Sequence, residues 1–305
     1  MTRVKLAGLI AGLTAATASI WVGLGAVLPA RSQQPAITIR TKIRGTDRPP
    51  SLDAPVFLLV LGGDAREENP ENSRMDAIHI VGIDPTTGRA GILGIPRDAW
   101  VPLPGRGYEK INAASAYGGL DLMVETVEAL SGCTFDHTVL VNFQGFRNVV
   151  NGMGGVTMDI PERLFERGAS GIDLQPGRQL LNGKQALAWN RLRKGSARPF
   201  GDFSRSQAQN DFLVAALREA RRDFTRSPGS LLRLLSTFRS NVAHDLDLTS
   251  MLRLGQAFLA LEPRNVRTDV VDGSLGFVEG ISIVQITREG QEQFVDLCGD
   301  GALDR

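Results

Sequence analysis

Histidine is scarce: His79, His137 and His244 are the only three in 305 residues. A histidine-ligated metal centre or a Ser-His-Asp triad is therefore poorly supplied. Cysteine is scarcer still. Cys133 and Cys298 have no metal-ligand spacing; in an oxidising compartment they either close one long loop as a disulfide or stay as two buried thiols. Net charge is almost absent too, 34 Lys and Arg against 33 Asp and Glu giving +1. No region is overwhelmingly basic and no helix-turn-helix signature occurs, which excludes nucleic acid as a partner. There is no internal repeat and no low-complexity tract. What is present is 42% hydrophobic and 22% charged, enough for one large domain or two small ones with a real core. The charge is balanced globally and clustered locally, so the clusters carry the information.

Arg3 and Lys5 precede a stretch from Leu6 to Ala30 that contains no charged residue. At about 1.5 Å per helical residue it exceeds the roughly 30 Å hydrocarbon core of a bilayer. Flanking positive charge keeps the N-terminus cytoplasmic and exports the rest. A cleaved signal peptide is the competing reading, but Leu28 before Ala30 is a poor fit to a small-x-small cleavage site. The expected organisation is a stub and single-pass cell-membrane anchor over 1–30, a polar linker over 31–54, and an extracytoplasmic domain over 55–305 with a motif-rich core at 55–220.

Along the exported part, Val56 to Leu61 is an aliphatic run ending at Gly62-Gly63, the pattern of a buried strand followed by a tight turn. Ala77 to Ile83 is a second strand, closed by the turn cluster Asp84-Pro85-Thr86-Thr87-Gly88; Ile92 to Ile95 is a third, stopped by Pro96. Thr138 to Phe143, Val156 to Ile160, Val266 to Val271 and Ile281 to Val284 are further strands. Helical periodicity covers Leu120–Leu130, Phe146–Val150, Ser206–Arg221, Leu231–Phe238 and Met251–Leu261. Hairpins and crossovers together predict an α/β fold: a mixed central β-sheet flanked by helices as an α/β/α sandwich, preceded by one transmembrane helix.

Charged residues crowd the strand ends: Asp64 and Arg66 after the first, Arg74 and Asp76 leading into the second, Arg97 and Asp98 after the third, and Lys110 opening the next helical region. Sheets of this class place ligands beyond their strand ends, although charges there are also expected simply from solvent exposure. Asp64 and Asp76 suit a shared Mg²⁺, which takes one or two carboxylates plus phosphate oxygens and water. Arg74 and Arg97 offer planar forks to phosphate oxygens. The alternative is internal Asp–Arg salt bridging. A second basic group comprises Arg191, Arg193 and Arg205, with Asp202 and Gln209. In a strand, Arg191 and Arg193 would point to one side; Arg205 and Gln209 would share a helix face. Read alone, this second group is as well explained by a solvated basic loop.

In order and spacing these pieces resemble the LytR-CpsA-Psr family of bacterial envelope proteins. The resemblance runs from about Val56 to Leu217 and includes Gly62 to Arg66, Arg74-x-Asp76, Ile95-Pro96-Arg97-Asp98, Lys110-Ile111-Asn112-Ala113, Tyr117-Gly118-Gly119, Gly154-Gly155-Val156, Leu181 to Leu187, Arg191-x-Arg193 and Gly201-Asp202-x-x-Arg205. It implies a phosphotransferase that moves a glycan phosphate from a polyprenyl-pyrophosphate carrier onto peptidoglycan, with the lipid tail in an apolar pocket between sheet and helices. By motif, Asp64 and Asp76 would associate with Mg²⁺. Arg74, Arg97, Arg191, Arg193 and Arg205 would bind pyrophosphate, with Gln209 nearby; Lys110 and Asp202 match further positions. Asp98 and Asp64 are the candidates for general base. Met75, Ser204 and Ala208 depart from the family pattern of Ser, Gly and Arg at those places. A polyprenyl-pyrophosphate hydrolase and a non-catalytic lipid-binding regulator are the rival readings.

Overall fold

The computed structural model describes residues 53–63, 73–166, 172–192 and 201–304. The expected anchor, the linker up to residue 52, Asp64 and Arg193 lie outside them. Among the described residues, no helix is long and apolar enough to cross a membrane.

In chain order the elements are β1 (Val56–Gly63), β2 (Met75–Asp84), β3 (Arg89–Gly94), β4 (Trp100–Leu103), β5 (Gly107–Lys110), α1 (Ala114–Ser131), β6 (His137–Asn142), α2 (Phe143–Gly152) and β7 (Val156–Ile160). They continue with β8 (Leu164–Glu166), β9 (Ile172–Leu174), β10 (Gly177–Leu181), α3 (Gly183–Arg191), α4 (Asp202–Arg226), α5 (Ser230–Asn241), β11 (Ala243–His244) and α6 (Leu248–Ala260). The last four are β12 (Val266–Val270), β13 (Gly273–Val278), β14 (Ile281–Ile286) and α7 (Arg288–Asp300). Six strands form one mixed sheet in the order β11-β6-β1-β2-β3-β12. β1 runs antiparallel to β2 and parallel to β6, and β3 is parallel to β12.

Side chains alternate across a strand, and each face of this sheet has its own core. Leu59, Leu61, Ile78, Ile80 and Leu93 pack with Val127 of α1 and with Phe294 and Leu297 of α7. Val56, Leu58, Val81, Ile83 and Ile92 pack with Val214 of α4 and Leu254 of α6. The result is the expected α/β/α layering. A third cluster, built on Val156, Leu181, Trp189 and Phe212, joins α3 and α4 to the small β7–β10 sheet.

Several sequence readings change. Gly62 and Gly63 do not turn after β1; they are its last residues and carry a register shift against β2. A Cβ on Gly63 would sit 3.1 Å from Met75 Sδ, so the close approach of β2 favours glycine there. Val156–Ile160 is a strand, but it pairs with β10 and not with the central sheet. Lys110 ends a strand instead of opening a helix, and a short 3₁₀ turn, Ile111–Ala113, leads into α1. Arg191 is the last residue of a helix, not part of a strand. That helix is nucleated by a capping box: Asn182 accepts from the Gln185 amide while the Gln185 side chain accepts from the Asn182 amide.

Candidate active site

Because β2 is antiparallel to both β1 and β3, the end of β1, the start of β2 and the end of β3 meet at one edge of the sheet. There Asp76, Arg97, Asp98, Lys110, Asp202 and Arg205, all singled out from sequence, form one chain of ion pairs. Arg97 is the hub. Its Nη1 donates to Asp76 Oδ1 at 2.6 Å and its Nε to Asp202 Oδ2 at 3.3 Å, and Nε lies 3.7 Å from Asp98 Oδ2. Lys110 Nζ pairs with Asp98 Oδ1 at 2.8 Å, and Arg205 with Asp202 Oδ1 at 2.9 Å. Asp202 is the first residue of α4 and Arg205 lies one turn on, so a carboxylate sits at the positive end of the helix.

Three carboxylates thus meet three cations. The carboxyls of Asp98 and Asp202 are hydrogen-bonded to each other. Burial, then that bond, pushes Asp202 above the usual carboxylate range despite its arginines. For Asp98 burial acts upward as well, but the bonds from Asp202 and Lys110 and the Arg97 charge hold it below that range. Asp98 is therefore the ionised member of the pair and Asp202 the one that keeps a proton more readily. The internal Asp–Arg pairing weighed from sequence is real here. It also packs arginine, lysine and carboxylate groups around a single point, as a site for a polyanion requires.

Beside this network a cavity of about 420 Å³ opens between β1, β2 and β6 and the helices α2, α3 and α4. Val60, Val141, Phe143, Phe146, Leu187 and Phe212 give it apolar walls. Its polar lining residues are Asp76, His79, Asn142, Asn190, Arg191, Arg205 and Gln209, of which Asp76 and Arg205 belong to the ion-pair network. Arg205 and Gln209 do share the helix face expected from their spacing, and Phe212 extends that face into the cavity. Arg205 is only 2% exposed. Arg191 stacks over the Phe143 ring at 4.4 Å, a cation–π contact that fixes the guanidinium at the wall.

His79 was not foreseen as part of this site. Gln209 Nε2 donates to the Asn190 carbonyl at 3.2 Å, so its Oε1 accepts from His79 Nε2 at 3.1 Å. Burial lowers the His79 pKa to about 4, and the imidazole stays neutral. The apolar cavity residues were missed as well. Only the Arg205, Gln209, Phe212 spacing signalled one of them.

Arg74 is exposed just before β2 and makes no ion pair among the described residues. Asp76 is the one carboxylate among the described cavity residues, and no cluster of three or more His, Cys, Asp or Glu among the described residues is placed to hold a metal. Mg²⁺ needs no such cage, since phosphate oxygens and water complete its shell around one or two carboxylates; Asp76 fits that donor set. Two of the three departures from the family pattern are buried in the core. Met75 is fully buried in the core of the sheet. Ala208 is buried beside Trp189, whose indole donates to the Ala208 carbonyl at 3.3 Å.

Comparison with known proteins agrees with this architecture. The LytR_cpsA_psr family model matches residues 30–296. The chain is 33% identical over 234 residues to the polyisoprenyl-teichoic acid–peptidoglycan teichoic acid transferase TagU of Oceanobacillus iheyensis, covering 74% of this chain and 69% of that protein. It is 38% identical over 172 residues to the transferase TagT of Bacillus subtilis, covering 54% of this chain and 52% of TagT. The match thus spans about half the length of TagT. A solved structure of the B. subtilis protein YwtF (TagT) with bound octaprenyl pyrophosphate lipid superposes with a TM-score of 0.64 at 25% identity, over 85% of this chain and 95% of that one. The chain belongs to the LytR_cpsA_psr family.

Proposed function

We propose that this chain is a phosphotransferase that moves a glycan phosphate from a polyprenyl-pyrophosphate carrier onto peptidoglycan, working at the outer face of a membrane in which residues 6–30 anchor it. The observation that carries the reading is the junction of an apolar cavity with a cluster of arginines, which matches a ligand that is lipid at one end and polyanionic at the other. The bound octaprenyl pyrophosphate of TagT supports it by similarity.

The first isoprene units of the carrier lie against Phe143, Phe146 and Phe212. Arg97, Arg191 and Arg205 face the pyrophosphate, with Gln209 nearby, and Arg74 and Arg193 join them by motif position. Mg²⁺, held by Asp76 with Asp64, would supply further neutralisation of the pyrophosphate charge. An acceptor sugar hydroxyl forms a new oxygen bond to the glycan-proximal phosphorus. The bond from that phosphorus to the bridging oxygen breaks, and polyprenyl phosphate leaves with the electron pair. The hydroxyl proton passes to a carboxylate at the rim, for which Asp98 is the ionised candidate. Phosphoryl transfer asks the protein mainly for positioning and charge stabilisation, so arginines suffice without a protein nucleophile.

Replacing Arg97 with alanine should lower transfer from carrier-linked glycan to peptidoglycan by about 10³-fold, the scale for loss of one preorganised charge-stabilising group. Circular dichroism should show the fold retained. Wild-type transfer by Arg97→Ala would overturn the site. Release of glycan phosphate without dependence on added peptidoglycan would point to the hydrolase instead.

A further inference from the structure

The chain has just two tyrosines, and both belong to the β4–β5 hairpin or its support. Tyr108 is 63% exposed and Tyr117 is 47% exposed. In this antiparallel pair Trp100 lies opposite Lys110, Val101 opposite Glu109 and Pro102 opposite Tyr108. Directly paired residues share a face, so the hairpin has two unlike sides. Val101 and Leu103 are buried in the main core on one side. Trp100, Pro102, Tyr108 and Lys110 form the other, with Pro102 and Tyr108 exposed and Trp100 half-buried.

The Tyr108 ring is left to solvent on the outer side of this hairpin, and the hairpin itself is tied down from two directions. Tyr117 braces it from α1: its hydroxyl donates to Glu109 Oε2 at 3.4 Å, and Arg106 lies over its ring at 5.3 Å while donating to its carbonyl. The hairpin is also tied to the ion-pair network. Ile111 N donates to the Ala99 carbonyl and Asn112 N to the Arg97 carbonyl. Lys110, at the inner end of the aromatic side, grips Asp98 at 2.8 Å.

The network therefore meets two different surfaces. Asp76 and Arg205 border the apolar cavity; Asp98 and Lys110 border the aromatic face. A transfer reaction needs two substrates to meet at one phosphorus, and the cavity is suited to the lipid-linked one. We infer that the Trp100–Pro102–Tyr108–Lys110 face is the acceptor subsite, where a pyranose ring of a peptidoglycan glycan strand lies against Tyr108 and presents a hydroxyl toward Asp98. The inference rests on the transferase reading for its second substrate. The chemistry of the face is right for a sugar. A pyranose has an apolar C–H face and a polar rim, and a tyrosine offers broad, rigid, amphipathic contact at small entropic cost. Lys110 adds hydrogen-bond donors at the end where the hydroxyl must sit.

The test uses the full-length chain, carrier-linked glycan as donor and uncrosslinked peptidoglycan glycan strands as acceptor. Tyr108→Ala should raise the acceptor KM by at least about tenfold, and Tyr108→Phe should stay within about twofold of the unaltered chain, since the ring and not the hydroxyl makes the contact. An unmoved acceptor KM in Tyr108→Ala overturns the subsite, as does a rise confined to the donor KM. Binding of the strands is measured in parallel without donor, by sedimentation. Strand binding that needs Tyr108, in a chain that performs no transfer, upholds the subsite and sinks the transferase reading. Transfer accompanied by strand binding indifferent to Tyr108 does the reverse.

Discussion

On one face of the six-stranded sheet, α1 and α7 close down on Leu59, Leu61, Ile78 and Ile80, and a disulfide between Cys133 and Cys298 ties that layer together. On the other face, α4 and α6 pack tightly against one part of the sheet, but α2, α3 and α4 stand back from β1, β2 and β6 and leave a cavity. The same strands serve both faces. The contrast teaches a division of labour: one side fixes the strands so that residues at their ends, such as Asp76 and Arg97, stay in register, and the other leaves room for a ligand beside them. Dense packing with a covalent tie resists deformation, whereas a cavity lined by partly exposed side chains gives up contacts that a ligand can restore.

The sharpest way to break the comparison is to cut the tie. The disulfide joins residues 165 apart in sequence. Closing a loop of that length in the unfolded chain is worth about 5 kcal/mol in the loop-entropy picture, with measured values for native disulfides spanning about 2–5. Cys133→Ala with Cys298→Ala should therefore lower the unfolding free energy in denaturant by several kcal/mol. It should change affinity for a polyprenyl pyrophosphate much less, because the bond lies on the face away from the cavity. A large loss of lipid affinity with little loss of stability would invert the assignment of the two faces.

His79 gives a smaller and pH-dependent effect from the open side. It is buried on the cavity wall and hydrogen-bonded to Gln209. The unfolded chain takes up the imidazole proton near 6.5, but the folded chain does so only near 4. Acid thus favours unfolding: this contribution to stability is complete above pH 6.5, declines as pH falls from there and is gone by about pH 4. The difference is worth about 3 kcal/mol. Denaturant unfolding at about pH 7.5 and pH 4 should show that loss in the wild type, and a loss smaller by roughly that amount in His79→Asn. Equal acid sensitivity in both would mean that the site opens to let the ring protonate.

The rim of the site was far more legible in the sequence than its interior. Asp76, Arg97 and Lys110 stood out because charge directly beside a strand is unlike the aliphatic run next to it, and Arg205 with Gln209 because four residues return a helix to the same face. The pairing of Asp98 with Asp202 could not be read, since it depends on how α4 docks against β3. The resemblance implied an apolar pocket between sheet and helices, but its lining residues could not be read, because a cavity is a place where packing stops. The β4–β5 hairpin was hidden because Pro102, Pro104, Gly105 and Gly107 break any alternating pattern between Trp100 and Lys110. Helix α3 was missed through its weak apolar periodicity, although Asn182 and Gln185 spell out its capping box. The cysteines were visible, but their Cα atoms, 5.1 Å apart, were not.

The mildest test fills the cavity instead of loosening the fold. Leu187 lies on α3, half-buried, with its side chain on the cavity wall. A helix surface facing open space accepts a larger ring more readily than a close-packed core, where added bulk costs about 1–3 kcal/mol. Leu187→Trp should accordingly unfold close to the wild-type denaturant midpoint. The indole would occupy volume that the first isoprene units need, and retention of octaprenyl pyrophosphate should fall by about tenfold, equivalent to about 1.4 kcal/mol. Inorganic pyrophosphate, which needs only the charged rim, should bind the variant as well as it binds the wild type. If both ligands weakened together, the cavity and the rim would be one inseparable unit and the tail would not be what the apolar walls select. If only the lipid weakened, the open face would be doing for the tail what Arg97 and its neighbours do for the phosphates.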